Sequence, residues 1–271
     1  MQAASKLRFA IILIASLAVS SWATAQNRVK NSCAKPLYLT FDTGHMDVAP
    51  LIAEVLKRQD VRVTFFGANE RTRVGDGSLG QHWAPWWKAR AAEGHEFASH
   101  TYDHAYWRGD LPGADPAFRI RPSAGSDEGR DLTWNAANYC ANIDLAAKRL
   151  QDITGRKPLP IYRAPGGKTS PKLLAAARAC GWAHAGWSPA GFLGDELPSE
   201  SFSNAALLNK ALKDIRAGDI LLAHLGIWSR KDAWAPAVLE PLIVGLKDKG
   251  FCFETLRAHP DYKGWIAAHG Q

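Results

Sequence analysis

Apolar residues along this chain fall into two alternating patterns. Short, largely apolar runs at residues 37–41, 61–66, 96–99, 159–163, 183–187, 220–224 and 251–255, that at 61–66 rich in β-branched and aromatic side chains, predict seven strands. Between them apolar positions recur at helical spacing. Leu51, Ile52, Val55 and Leu56 predict a helix ending near Arg58, and others are expected up to about residue 93 and over 134–154, 171–180, 204–215 and 236–249. Ser170 followed by Pro171 has the form of an N-cap and first helical residue, and Gly155 that of a helix stop. Residues 105–131 carry several Pro and Gly without a period, which predicts a long surface loop of the kind that forms a substrate rim.

Strand and helix in succession imply a parallel sheet with right-handed crossovers, and seven short strand–helix units fit a closed α/β barrel better than an open sheet. Asp42, His100, Arg163, Trp187 and His224 each stand at or just beyond the C-terminal end of a predicted strand. In parallel barrels that face carries the active site.

Composition changes the picture first at the N-terminus. Lys6 and Arg8 precede an apolar run over residues 9–19, and Ala23-Thr24-Ala25 forms a small-x-small cleavage site, the layout of a secretory signal peptide over residues 1–25. A membrane span needs about 20 apolar residues, so cleavage is expected over an uncleaved anchor. Residues 26–271 then form one domain with a full core, and no other stretch is apolar enough to cross a bilayer. A periplasmic or secreted monomer is expected. The formal net charge falls from +7 to +5 when Lys6 and Arg8 leave. That excess is modest and has no Lys/Arg run with interleaved aromatics, which argues against nucleic acid and weakly favours anionic cell-wall polymers. Cys33, Cys140, Cys180 and Cys252 allow three disulfide pairings. In a closed barrel the first and last strands are neighbours, which favours Cys33–Cys252, with free buried thiols as the alternative.

The chemistry concentrates in two segments. Thr40-Phe41-Asp42-Thr43-Gly44 ends a predicted strand with a carboxylate on a Gly-containing turn, and His100-Thr101-Tyr102-Asp103-His104 holds two histidines at a spacing that can place both imidazoles on one divalent metal. Gly186-Trp187-Ser188-Pro189-Ala190 superficially resembles a nucleophile elbow, but Pro189 has no N–H for an oxyanion hole. Of the ten tryptophans beyond residue 25, Trp107, Trp187 and Trp228 lie nearest the predicted active face and are candidates for a sugar groove, whereas Trp86 and Trp87 are expected to pack inside.

Four segments in order, TFDTG (40–44), HTYDH (100–104), RAPGG (163–167) and LAH (222–224), resemble the motifs of the NodB-homology polysaccharide deacetylases, carbohydrate esterase family 4. The resemblance spans essentially the whole mature chain. It implies a distorted (β/α) barrel of about seven parallel strands, a divalent metal such as Zn²⁺, and removal of acetyl groups from an N-acetylated glycan. By resemblance, Asp42 is the catalytic base, His100 and His104 the metal ligands, Arg163 the residue that positions the base, and His224 the general acid. Pro165 and Gly166 join Trp107, Trp187 and Trp228 as candidates for the substrate wall.

The sequence departs from the family pattern twice. Thr43 stands where a second aspartate, a metal ligand, is usual; a water, Asp42, His45 or Asp47 would have to serve, and metal affinity should be weaker. The muramic-acid (peptidoglycan) deacetylase branch shares that loss, which points to peptidoglycan alongside chitin-like glycans. Near the fourth motif the acidic candidates are Asp195 and Glu196, with Asp195 the expected partner of His224. Two other readings stay open: a catalytically silent glycan-binding barrel, and an amidohydrolase of small cyclic amides.

Overall fold

The computed structural model describes residues 33–270; the expected signal peptide and the start of the mature chain lie outside the described residues. Parallel strands β1 (Pro36–Asp42), β2 (Thr64–Gly67) and β3 (Glu96–Ser99) alternate with helices α1 (Ala49–Arg58) and α2 (Ala84–Ala92). After β3 the chain forms three further strands, β4 (Ala105–Asp110), β5 (Ala117–Pro122) and β6 (Leu132–Asn135), before helix α3 (Ala136–Thr154). The parallel series resumes as β7 (Ile161–Tyr162), α4 (Pro171–Ala179), β8 (Ala183–His184), α5 (Asn204–Asp214), β9 (Ile220–His224), α6 (Leu239–Asp248) and β10 (Cys252–Phe253), and closes with α7 (Pro260–His269). Local signals set several boundaries. Asn135 accepts the Asn138 N–H at the start of α3, Gly155 ends it at φ 71°, and Ser170 caps α4 through the Leu173 N–H.

The seven-stranded sheet runs β10-β1-β2-β3-β7-β8, with β9 on the other side of β1. No regular strand pairing joins β8 to β9. The segment after β8 closes the gap: the Ser188 N–H donates to the Ile220 carbonyl at 3.0 Å, the Ile220 N–H returns to Ser188 Oγ at 3.0 Å, and Phe192 bridges Leu222. A Cβ at Gly191 would lie 1.9 Å from the Ile220 carbonyl oxygen, so only glycine permits this approach. Ser188 is thus a closure residue, which removes the resemblance to a nucleophile elbow.

The period of two decides what each face of β1 does. Leu37, Leu39 and Phe41 pack outward in the large core beneath α1, α2, α5 and α6. Tyr38, Thr40 and Asp42 turn the other way; Tyr38 belongs to a second core with Phe66, Ile161, Ala185 and Ile266 of α7, and Thr40 and Asp42 continue that face upward. A third core joins Phe118 and Ile120 of β5 to Tyr139 and Ile143 of α3.

The expected loop over 105–131 is instead largely an antiparallel sheet, β4-β5-β6. Phe118, Ile120 and Pro122 are buried while Arg119 and Arg121 point outward, a half-buried alternation hidden by the turn residues around it. Helix α7 also went unread, because its apolar stripe is weak and Pro260 marks only its start. Both disulfides form: Cys33–Cys252 as favoured, and Cys140–Cys180 between α3 and the end of α4, so none of the four is a free thiol. Among the described residues no helix is long and apolar enough to cross a membrane.

Candidate active site

Strand ends deliver the reactive side chains to one face. Asp42 ends β1 directly opposite His224 at the end of β9, His100 follows β3, and Arg163 follows β7. Asp42, His100 and His224 line a cavity of about 280 Å³ together with Glu70, His104, Tyr106, Trp187 and Trp228, and Arg163 lies buried behind Asp42.

Arg163 is fully buried, yet each nitrogen has an acceptor. Nε donates to the Ala185 carbonyl at 3.0 Å, one terminal nitrogen to Thr40 Oγ1 at 3.0 Å and Asp42 Oδ1 at 2.7 Å, and the other to the Gly186 carbonyl at 3.0 Å. Its charge also lies 4.0 Å above the Phe66 ring. Burial alone would raise the Asp42 pKa, but Arg163, then His100 and His224, hold it below the usual carboxylate range. Asp42 is therefore ionised, with Oδ2 left towards the cavity, 3.4 Å from His100 Nε2.

The two histidines are not one helical turn apart; a tight turn brings them together. Thr101 and His104 both adopt positive φ, 59° and 47°, a conformation that costs non-glycine residues about 1–3 kcal/mol each. The turn is held by Thr101 Oγ1, which accepts the Ala105 N–H at 2.8 Å, and by Asn142 of α3, which bonds both the backbone and the carboxylate of Asp103. The two imidazole rings end 4.8 Å apart, edge to face. His100 Nδ1 sits 2.9 Å from the Arg163 carbonyl, so it carries the proton and leaves the Nε2 lone pair towards the cavity. Burial pushes the His100 pKa down to about 4, against the pull of Asp42, so the ring is neutral at pH 7. Two imidazoles beside carboxylates form a nitrogen–oxygen donor set that suits Zn²⁺, Co²⁺ or a similar divalent ion. His100 and His104 are the residues that would hold such an ion, although among the described residues no third donor yet converges with them.

On the neighbouring strand, beside Asp42, Asp195 receives the His224 backbone N–H at 2.6 Å and lies 3.1 Å from His224 Nδ1. Burial works against a charged imidazole, but Asp195 foremost, with Asp42 and Glu196, raises the His224 pKa to about 9. At neutral pH the adjacent ends of β1 and β9 thus carry a carboxylate and an imidazolium.

Trp187, Trp228 and Gly166 line this cavity, whereas Pro165 is buried and is not among the lining residues. Trp107 is not among the lining residues; its indole N–H bonds Asp110 at 3.1 Å and its ring packs on the third core. Trp87 is buried and Trp86 packs at its edge, as expected. His45 and Asp47 line a neighbouring cavity of about 200 Å³ behind His224, where Asp47 pairs with Arg73. Thr43 is buried and its hydroxyl accepts the Ala68 N–H at 3.0 Å. Sequence reasoning passed over Glu70, although it lies just beyond the C-terminal end of β2, the criterion that selected the other residues. Tyr106 was missed too; burial, then Glu70, Glu196 and Asp42, push its phenol up to about 12.

Known proteins resemble this chain over most of its length. The chain is 25% identical over 230 residues to a chitooligosaccharide deacetylase of Azorhizobium caulinodans, covering 81% of this chain and 92% of that protein. It is 24% identical over 230 residues to a peptidoglycan-N-acetylglucosamine deacetylase of Bacillus cereus, covering 84% and 90% respectively. The fold matches a family 4 acetyl xylan esterase from Clostridium thermocellum, solved with a cobalt ion, with a TM-score of 0.62 at 20% identity, over 85% of this chain and 92% of that one. Residues 29–185, more than half of the sequence, match the description of the polysaccharide deacetylase family. This chain therefore belongs to the polysaccharide deacetylase family, hydrolases that act on non-peptide carbon–nitrogen bonds of acetylated polysaccharides.

Proposed function

We propose that the protein removes N-acetyl groups from amino sugars of a cell-envelope or extracellular polysaccharide, peptidoglycan or a chitin-like glycan, assisted by a divalent cation, zinc first among the candidates. The carrying observation is a pair of opposite charge states in one cavity: anionic Asp42 and cationic His224 stand side by side on neighbouring strands, beside the His100–His104 pair. A cation held by those imidazoles supplies Lewis acidity at the acetyl carbonyl and acidifies water. Asp42 Oδ2 takes the proton of the attacking water, while Arg163 fixes the carboxylate and keeps it charged. As the carbon–nitrogen bond breaks, His224 gives its Nε2 proton to the departing amine, and Asp195 holds the ring through Nδ1. The products are acetate and a free amino sugar. Two disulfides support a periplasmic or extracellular location, where oxidised cysteines persist.

Acetate release from N-acetylglucosamine oligomers and from peptidoglycan tests the reading. Asp42→Asn and His224→Ala should each lower kcat by about 10²–10⁴-fold. Full activity of Asp42→Asn would overturn the assignment of the base. The engagement of Thr43 with Ala68 favours one competitor, a glycan-binding barrel without catalysis, because no ligand comes from that position. Glycan binding with neither bound metal nor acetate release would establish it.

A further inference from the structure

Thr43 leaves the metal site one carboxylate short, and its hydrogen bond shows what it does instead. Its Oγ1 anchors the Ala68 N–H at the start of the loop after β2, two residues before Glu70. That loop is fixed at several further points. The Glu70 N–H donates to Ser78 Oγ at 2.9 Å and the Ser78 N–H returns to the Glu70 carbonyl at 2.9 Å, while Ser78 Oγ donates to the Ala68 carbonyl at 2.6 Å. Asn69 ties the same loop to the histidine turn, through its N–H to the Tyr102 carbonyl at 2.7 Å and its side-chain amide to the Tyr102 hydroxyl at 3.2 Å.

The side chain so presented is only 20% exposed, lines the same cavity as Asp42, His100 and His104, and brings Oε1 to 4.0 Å from the His104 ring at Nδ1, the nitrogen that bonds Ser123 Oγ, so that His104 Nε2 is the nitrogen left for a metal. Among the described residues it makes no hydrogen bond. Of the acidic side chains lining the cavity, Asp42 apart, it is the one within 4.0 Å of either histidine; Glu128 is exposed on the rim. The carboxylate is near but not yet convergent, since among the described residues no three such donors meet at one point.

We propose that Glu70 supplies the protein carboxylate ligand of the metal, so that a residue from the end of β2 replaces the one lost at position 43 on β1. Thr43 is then a positioning residue for the loop that carries the replacement. The inference rests on the metal-assisted reading above.

Metal-stripped protein titrated with Zn²⁺ in competition with a coloured chelator, and with Co²⁺ followed by its visible spectrum, tests it. Glu70→Gln should weaken Zn²⁺ binding by about 100-fold and change the Co²⁺ spectrum, with circular dichroism and thermal midpoint unchanged. Glu70→Asp should retain the spectrum with intermediate affinity. If His104→Ala abolishes binding while Glu70→Gln binds like the parent, the Glu70 assignment fails and the metal-assisted reading survives. If the parent protein binds neither ion, both fail.

Discussion

With its guanidinium fully buried, Arg163 holds four acceptors at once, and the ionisation of Asp42 follows from that network. Removing one partner of such a pair would leave an uncompensated charge in the barrel, which typically costs about 3–5 kcal/mol. The neighbouring strand end obeys the same physics with the sign reversed. Asp195 holds His224 above its unfolded value of about 6.5, so the pair contributes stability that is fully present below that pH and is lost as pH rises through about 9. In the metal-free protein, nitrogen-detected NMR should show His224 titrating near 9. Asp195→Asn should move that titration down towards or below 6.5, because burial then acts without its counter-charge. An unmoved titration would refute the pairing. On the proposed function, the base and the acid are thereby separated by environment, the arrangement that lets one site do both tasks near neutrality.

At the scale of elements, the β4-β5-β6 sheet and the turn after β3 decide which aromatic residues can meet a sugar. Trp228 is 50% exposed at the cavity and lies under the guanidinium groups of Arg71 and Arg73, at 5.5 and 5.1 Å from its ring. Trp107 stands on β4 with its ring against the third core. Trp228→Ala should raise KM for oligosaccharides several-fold with little change in kcat, an effect of the size expected from lost stacking of about 1 kcal/mol. Trp107→Ala should leave KM unchanged and lower the thermal midpoint. Equal effects of the two substitutions on KM would contradict the placement. The Cys140–Cys180 bridge joins α3, which buttresses the histidine turn through Asn142, to the end of α4, closing 40 residues. Replacing both cysteines by serine should cost about 2–4 kcal/mol in denaturant unfolding, and an unchanged midpoint would show that the bridge contributes nothing.

Across the whole molecule, the order of strands and helices was largely legible in the sequence because most parallel strands lead into a helix whose apolar stripe has its own period. The motif residues were legible for a related reason: strand ends in a parallel barrel all point to one face, so Asp42, His100, Arg163 and His224 could be grouped before any contact was known. The antiparallel excursion over 105–135 was not, since its alternation is short and its arginines and turn residues mask it. Nor could the sequence rank the tryptophans, because burial of an indole depends on which surface faces it. The amino-acid sequence by itself determined the barrel, the family motifs and the loss of a carboxylate at Thr43. Only the tertiary structure decided that Thr43 anchors the Ala68 loop, that Asp195 charges His224, and that Glu70 arrives beside His104. Period and motif are written along one chain. The distances that set charge and coordination arise where separate strand ends and loops meet, and no spacing within any one of them records those distances.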